Sequence, residues 1–201
     1  MLHIEILVEE PSMEAALKNL LPRLLPPEST FRILTFQGKP DLLQKLPGRM
    51  RGYRWITEEY RIVVLVDEDR QDCHELKYQL ETAATQAGFI TKTNSGDAHF
   101  QVLNRIVIEE LEAWFLGDPE AVRQAYPNLP INLDKRNTSV NPDTIPGGTW
   151  EALERTLQRY GYFRGGFRKV EAARKISAFM DPTRNRSKSF QVFREGLLAL
   201  K

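Results

Sequence analysis

Acidic residues follow two apolar segments of the chain, at the points where both segments end. Residues 63–66 form a continuous aliphatic run, typical of a parallel strand covered on both faces, and three acids at 67–69 follow it directly. The first apolar segment, 2–8, ends in the same way at Glu9 and Glu10. Because open α/β sheets bind their ligands at the carboxyl ends of their strands, these acids are expected to face each other across one crevice.

Crowded carboxylates repel and raise one another's pKa, so such a cluster usually needs a cation. Asp67 and Asp69 flank Glu68, and in an extended segment their side chains share one side while Glu68 points away. Both could then bind a common hard cation, with Glu9 as a third ligand or as the base that orients an attacking water. We therefore expect a divalent-metal site for Mg²⁺, or Mn²⁺ in its place, since Mg²⁺ takes one or two carboxylates, waters and a phosphate.

A further group of acids follows the apolar segment 100–108 and opens the next predicted helix. Among Glu109, Glu110 and Glu112, the last two are the candidates for a second metal position. Two metal ions about 4 Å apart would clamp an in-line phosphoryl displacement. The alternative is that these acids only complement the positive end of their helix.

The net charge of +1 hides a strongly basic C-terminal segment, in which residues 159–201 contain 11 Lys and Arg against 3 Asp and Glu. An acidic site joined to a basic half suits a polyanionic substrate, which we expect to be nucleic acid, with DNA favoured over RNA. A solvated basic helical surface is the alternative. The candidate nucleic-acid contacts are Arg164, Arg168, Lys169, Arg186, Lys188 and Ser189. Lys169, Arg186 and Lys188 could also neutralise the leaving group, whereas Ser189 could instead cap a helix.

Other sequence features exclude several classes of protein. The longest apolar runs are too short to span a bilayer, and the acidic N-terminus is not a secretory signal. Cys73 is the only cysteine, which excludes a disulfide framework and favours a reducing cytoplasm. The chain has no phosphate-binding loop of the P-loop ATPases.

Periodicity predicts an α/β fold, a mostly parallel Rossmann-like sheet flanked by helices. Strands are expected at 2–8, 31–36, 61–66, 89–93 and 100–108. Helices are expected at 11–21, 41–46, 71–87, 109–116, from 118, and at 149–160, 169–180 and 189–200. This order predicts an α/β core at 1–120, a loop-rich linker at 121–148 and a basic helical extension at 149–201 packed on the core.

The residues around these acids resemble the Toprim signature, which is a Glu after the first strand and D-x-D after the third. Here the matching segments are Ile-Leu-Val-Glu-Glu at 6–10 and Val-Leu-Val-Asp-Glu-Asp at 64–69. More specifically, the chain resembles the Toprim-like group catalogued as domain of unknown function 4276, which is related to the Toprim domains of OLD-type nucleases. The likeness covers most of the chain and rests on residues 8–14, 66–70, 109–115 and 187–190.

This resemblance implies a Toprim-like sheet, Mg²⁺ held by Glu9, Asp67 and Asp69, and the making or breaking of phosphodiester bonds. Glu10 stands where a Toprim chain usually has Gly, so it could add a ligand or spoil the site. Nothing matches the tyrosine of topoisomerases, so strand passage is not expected. Relatives are often paired with a separate ATPase in defence-like gene pairs, which implies an ATPase partner.

The sequence therefore predicts a Mg²⁺-dependent nuclease or phosphodiesterase, in which Glu9 activates water. Glu9, Lys169 and Lys188 are its candidate catalytic residues. One alternative is a non-catalytic regulatory subunit of an ATPase. Another is a receiver-like phosphoacceptor domain that uses Asp67, although no matching Lys-Pro follows a fifth strand.

Overall fold

A sheet of four parallel strands forms the centre of the structure, a computed structural model that describes residues 1–96, 99–130 and 141–200. The strands are β1 (His3–Val8), β2 (Thr30–Thr35), β3 (Tyr60–Asp67) and β4 (Val102–Val107), and their order in the sheet is β2-β1-β3-β4. The described part of the chain thus has the parallel α/β architecture that the alternating periodicity predicts.

Helices connect and cover the strands. They are α1 (Pro11–Leu24), α2 (Lys39–Gly52), α3 (Cys73–Gln86), α4 (Glu112–Leu116), α5 (Pro119–Ala125), α6 (Thr149–Arg159), α7 (Lys169–Phe179) and α8 (Lys188–Leu198), with a 3₁₀ turn at Pro142–Thr144. Among the helices of the described ranges, none has the length and apolar content needed to cross a membrane.

Two apolar clusters pack on opposite faces of the sheet, because successive strand residues point to opposite sides. On one face, Leu7, Val64 and Val66 pack with α2 and α3. On the other face, Ile6 and Leu65 belong to a larger cluster that also contains residues of α1 and of α4 to α8. The C-terminal helices therefore complete the same core that the N-terminal half begins.

The strand order reverses between β1 and β3, because β2 is added on the outer side of β1 and β4 is added on the outer side of β3. Such a switch point is where open α/β sheets form a crevice for ligands. Val8 pairs with Leu65 in the parallel register, so the residues that follow each strand emerge side by side. The fold therefore places Glu9 and Asp67 next to each other at this crevice.

The prediction of a strand at 89–93 is wrong. Only Thr91 pairs with a neighbour, through an isolated parallel bridge to Val102. Directly after this bridge the chain turns, as the Asn94 backbone N–H donates to the Thr91 carbonyl at 3.1 Å. The turn ends the pairing before a strand can form.

The helix predicted at 41–46 is longer in the structure, where α2 runs to Gly52 and includes Arg49 and Arg51. Its buried residues Leu42, Leu46 and Met50 recur every four residues and form one apolar stripe on the sheet. Burial of this stripe outweighs the helix-breaking tendency of Pro47. Of the loop-rich linker predicted at 121–148, residues 131–140 lie outside the described residues.

Candidate functional site

Glu9 and Asp67 are buried carboxylates at the carboxyl ends of the two central strands, 4% and 3% exposed. Each has one buried oxygen, Oε2 of Glu9 and Oδ1 of Asp67, without a hydrogen-bond partner. Burial, followed by repulsion from Asp69, raises the pKa of Glu9 to about 7. Burial, followed by repulsion from Glu9, also raises the pKa of Asp67 well above its ordinary value. Glu9 therefore opposes the ionisation of Asp67, whereas a side-chain hydrogen bond with Asp67 favours the ionised form of Glu9.

Glu112 brings a third buried carboxylate to this pair from the first turn of α4. Its side chain is 1% exposed, and its Oε2 is also buried without a hydrogen-bond partner. Burial raises the pKa of Glu112 to about 7, although nearby Lys169 opposes this shift. The negative charge of Glu112 contributes to the raised pKa of Asp67, so the two carboxylates interact electrostatically. We call Glu9, Asp67 and Glu112 the carboxylate cluster.

Asp69 lies beside this cluster, but in a different conformation from the expected one. Its φ is 49°, so the D-x-D segment is not extended as far as Asp69, and the expectation that both Asp side chains share one side of an extended strand is wrong. The Asp69 side chain is about half exposed, and its Oδ2 lies 2.9 Å from Lys39 Nζ. Asp69 is thus ion-paired at the rim of the site.

Lys39 is a site residue that the sequence reasoning missed. Its side chain is 6% exposed, and besides Asp69 its Nζ donates to the Glu68 carbonyl at 2.9 Å. It also lowers the pKa of Glu9 by its positive charge, which partly offsets the effect of burial. The available signal was its position at the start of the helix that follows the second strand, at the same edge of the sheet as Glu9.

The loops after β3 and β4 are joined by hydrogen bonds that support the site. The Asp69 backbone N–H donates to the Glu109 carbonyl at 3.0 Å, and the Glu109 N–H donates to Glu68 Oε2 at 3.0 Å. Asp69, Arg70 and Glu109 all have positive φ values. Non-glycine residues pay a conformational cost in this region, so the two loops hold each other in a strained arrangement.

Glu110, predicted as a metal ligand, fixes the start of α6. Its Oε2 accepts hydrogen bonds from the Thr149 hydroxyl and the Trp150 backbone N–H, both at 3.0 Å. An acid at the positive end of a helix is favourable. Glu110 therefore interacts favourably with a helix N-terminus, as the alternative interpretation predicted. The helix is α6, however, and not α4, which Glu110 precedes in sequence.

Lys169, at the first residue of α7, faces the carboxylate cluster. Burial lowers its pKa, but attraction by Glu112, Glu10 and other nearby acids outweighs this effect, so the pKa lies above its ordinary value. Its Nζ also lies 5.5 Å from the centre of the Trp150 ring, a cation–π contact. The basic C-terminal segment thus supplies one positive charge to the acidic site.

The other predicted nucleic-acid contacts lie at different places. Arg164 and Arg168 are exposed and line a concavity of about 250 Å³. Lys188 is exposed at the first residue of α8. Arg186 precedes α8, and its backbone N–H donates to the Gly117 carbonyl at 2.9 Å.

Ser189 is 6% exposed, and its hydroxyl accepts a hydrogen bond from Trp114 Nε1 at 3.0 Å. It therefore faces the core. The predicted capping role belongs instead to Ser187, whose Oγ accepts from the Phe190 N–H at 3.1 Å.

The carboxylate cluster has the oxygen chemistry that a hard cation requires. Within the described ranges, no three His, Cys, Asp or Glu side chains are already placed around one point as metal ligands. The partnerless oxygens of Glu9 and Asp67 nevertheless fit a Mg²⁺ ion that takes two carboxylates and completes its shell with water and phosphate. A cavity of about 260 Å³ is lined by Asp69, Glu110 and Trp150, which follow β3, follow β4 and begin α6.

The fold and the site define a parallel α/β protein with buried carboxylates at its switch point. The chain belongs to the family described as Domain of unknown function (DUF4276), whose model matches residues 8–198. This match confirms the more specific resemblance found in the sequence, while the wider relation to Toprim domains stays a prediction. No curated protein and no solved structure matches the chain significantly.

Proposed function

We propose that the protein is a Mg²⁺-dependent, Toprim-type nuclease that hydrolyses phosphodiester bonds in nucleic acid. The observation that carries the proposal is the carboxylate cluster, in which three buried acids each keep one oxygen without a hydrogen-bond donor. A buried polar atom without a partner costs stability, so its presence in a folded protein requires an explanation. Binding a divalent cation would satisfy these oxygens and relieve the repulsion among the acids.

In this proposal Asp67 and Glu9 would hold the metal ion, and Glu112 would interact with it through a bound water. When bound, the ion supplies positive charge to the scissile phosphate and lowers the pKa of a bound water. Glu9 would take the proton from the attacking water at its carboxylate. Burial raises the pKa of Glu9 to about 7 in the metal-free site, and a bound Mg²⁺ ion would lower it, so that the carboxylate would be ionised and able to accept the proton near neutral pH.

The positive residues have separate roles in this scheme. Lys169 would donate a hydrogen bond to a phosphate oxygen and stabilise the negative charge that develops in the transition state. Lys39 would hold Asp69 at the rim through the 2.9 Å ion pair, and its positive charge would partly offset the repulsion that Glu9 experiences. The exposed Arg164, Arg168 and Lys188 would contact the nucleic-acid backbone at a distance from the reacting bond.

The test is cleavage of plasmid and single-stranded DNA and RNA with Mg²⁺ or Mn²⁺. Wild type is expected to cut, and Asp67→Asn is expected to lose about a thousandfold or more of the rate, as other enzymes do when a charge-stabilising group is removed. Glu195→Gln is the matched control, because it also removes one negative charge but lies exposed on α8. Cutting that survives Asp67→Asn would overturn the assignment of the site.

Metal binding provides a second readout that does not depend on activity. Mg²⁺ or Mn²⁺ is expected to raise the thermal unfolding temperature of wild type and of Glu195→Gln but not of Asp67→Asn. Equal effects on all three proteins would show that the metal binds elsewhere.

A non-catalytic subunit of an ATPase is a second candidate, favoured by the absence of a ready three-ligand geometry among the described residues. In addition, Glu10, which stands at the usual Toprim glycine position, is engaged by a hydrogen bond from the Ser12 hydroxyl. This candidate predicts no metal-dependent change in unfolding temperature and no cleavage. It also predicts stable co-purification with an ATPase.

A further inference from the structure

A second cavity, of about 650 Å³, lies between the edge strand β2 and the C-terminal half of α2. Its lining includes Glu5, Arg32, Tyr53 and Trp55, none of which belongs to the carboxylate cluster. Glu5 and Arg32 are register partners on β1 and β2, and Trp55 precedes β3. The cavity therefore opens towards the amino-terminal ends of the strands, away from the crevice at their carboxyl ends.

Positive charge dominates this cavity. Arg32, Arg49 and Arg51 line it, and within the described residues none of their guanidinium groups forms an ion pair. Lys45 also lines it but is paired with Asp41 at 2.5 Å. Burial raises the pKa of Tyr53, and the positive charges of Arg49 and Arg32 oppose this shift. Both charges therefore lie near the Tyr53 side of the cavity. Guanidinium groups bind phosphate in a bidentate manner, so these residues suit a phosphorylated ligand.

The floor of the cavity holds a buried acid. Glu5 is 6% exposed in the middle of β1, where its Oε2 accepts from the Tyr53 hydroxyl at 3.1 Å and its Oε1 lies 3.3 Å from His3 Nε2. Each carboxylate oxygen can accept two hydrogen bonds, so Glu5 retains acceptor capacity. A ligand that fits must therefore present N–H donors as well as an anionic group.

An aromatic wall adds a third requirement. Trp55 is 62% exposed, although its ring is fixed edge-on against Tyr60 with 5.2 Å between centroids. Exposed indole rings provide stacking surfaces for nucleobases. We propose that this cavity binds a purine nucleoside phosphate, with the base stacked on Trp55, its exocyclic N–H groups directed to Glu5 and its phosphate held by the arginines. The volume lies within the usual range for small-molecule sites.

The experiment is titration of the full chain with GMP and AMP, followed by tryptophan fluorescence and calorimetry. Saturable binding is expected, with affinity reduced about tenfold or more in Arg49→Ala and in Arg51→Ala, as expected from loss of a charged hydrogen bond. Arg54→Ala is the matched control, since Arg54 lies outside the cavity lining and donates to the Ala87 carbonyl. Asp67→Asn is expected to bind these nucleotides as wild type does. Failure of the nuclease proposal can then be distinguished from failure of the nucleotide-binding proposal.

Three results would overturn the proposal. They are absence of nucleotide binding to wild type at millimolar concentration, equal affinity for inorganic phosphate, and equal weakening by Arg54→Ala. Competition by a 5′-phosphorylated oligonucleotide would identify the ligand as the nucleotide unit of a strand. Failure of the oligonucleotide to compete would identify it as a free nucleotide, and in both cases the cavity recognises a nucleoside phosphate.

Discussion

Two buried aspartates in this molecule have opposite surroundings. Asp143 is 4% exposed and accepts hydrogen bonds from the Ser187 hydroxyl at 2.6 Å, the Lys188 N–H at 2.6 Å, and the N–H and hydroxyl of Ser189 at 3.1 and 3.2 Å. Asp67 is 3% exposed, yet its Oδ1 has no partner, and acids surround it.

The difference separates a structural carboxylate from one that is open to a ligand. Donors saturate Asp143, which stabilises the start of α8 by satisfying N–H groups that a helix leaves unpaired. At Asp67 the protein leaves acceptor capacity unused at a cost in stability. Burial alone therefore does not distinguish the two aspartates, whereas the presence or absence of hydrogen-bond donors does.

The largest effect of a single substitution on stability is expected from removing the saturated acid. Asp143→Ala would leave four buried donors without an acceptor, and we expect it to lower the free energy of unfolding by about 3 kcal/mol or more. Urea denaturation of wild type and variant measures this difference. Ser187→Ala removes only one of the donors and should cost less, and a larger loss for Ser187→Ala would contradict the assigned role of Asp143.

The pH dependence of stability should reveal the unsaturated acids. Glu9 and Glu112 have pKa values of about 7 in the folded protein against ordinary values of 4.5, so between these limits the folded state binds more protons than the unfolded state. Stability should therefore fall as the pH rises from about 4.5 to 7, by an amount on the order of 3 kcal/mol per group.

Denaturation midpoints measured across this pH range test the expected decline. Glu112→Gln should flatten the curve, because its amide does not ionise. Mg²⁺ should also restore stability above pH 7 if the cluster binds the ion. A curve that is equally steep in Glu112→Gln would show that other groups cause the pH dependence.

Substitution of Asp by Asn is expected to change the free energy of unfolding in opposite directions at the two aspartates. Asp67→Asn removes a charge that its neighbours repel, so we expect it to raise the free energy of unfolding by about 1 kcal/mol at pH 8, as substitutions in strained active sites often do. Asp143→Asn should lower it. Measurement of both variants without divalent metal tests the signs, and destabilisation by both would contradict the comparison.

The smallest effect is expected at the cation–π contact. Trp150→Leu should lower the free energy of unfolding by about 1 kcal/mol, because the ring interacts with the partly buried Lys169 ammonium. The effect should largely disappear when the substitution is made in a Lys169→Met background. Additive losses in this double-mutant cycle would show that the two side chains are not coupled.

The sequence was sufficient to place Glu9 and Asp67, because both acids directly follow apolar strand patterns and parallel strands end at one edge. It also identified Glu112 as a candidate that the fold brings to the same site. The sequence could not reveal the structural role of Asp143, because the donors that bind Asp143 lie more than 40 positions further along the chain. Lys39 was missed because its position after β2 becomes informative only when its partner Asp69 is located at the same edge of the sheet.

Local conformation was the other limit of prediction. The left-handed backbone of Asp69 depends on the hydrogen bond from its N–H to Glu109, which the spacing of residues does not reveal. Similarly, residues 89–93 have strand-like composition, but the turn at Asn94 removes the pairing that a strand needs. A tertiary contact decided the first outcome, and a local turn decided the second.

The shared core has a consequence for folding during synthesis. The apolar face of α1 is covered mainly by α7, whose Ser177 hydroxyl lies 2.9 Å from Asn19 Nδ2 and whose Ile176 is fully buried in the same cluster. The ribosome adds these residues about 150 positions after α1. The N-terminal half must therefore wait, with its apolar surface uncovered, until the last quarter of the chain emerges, and chaperone binding during this interval is a natural expectation.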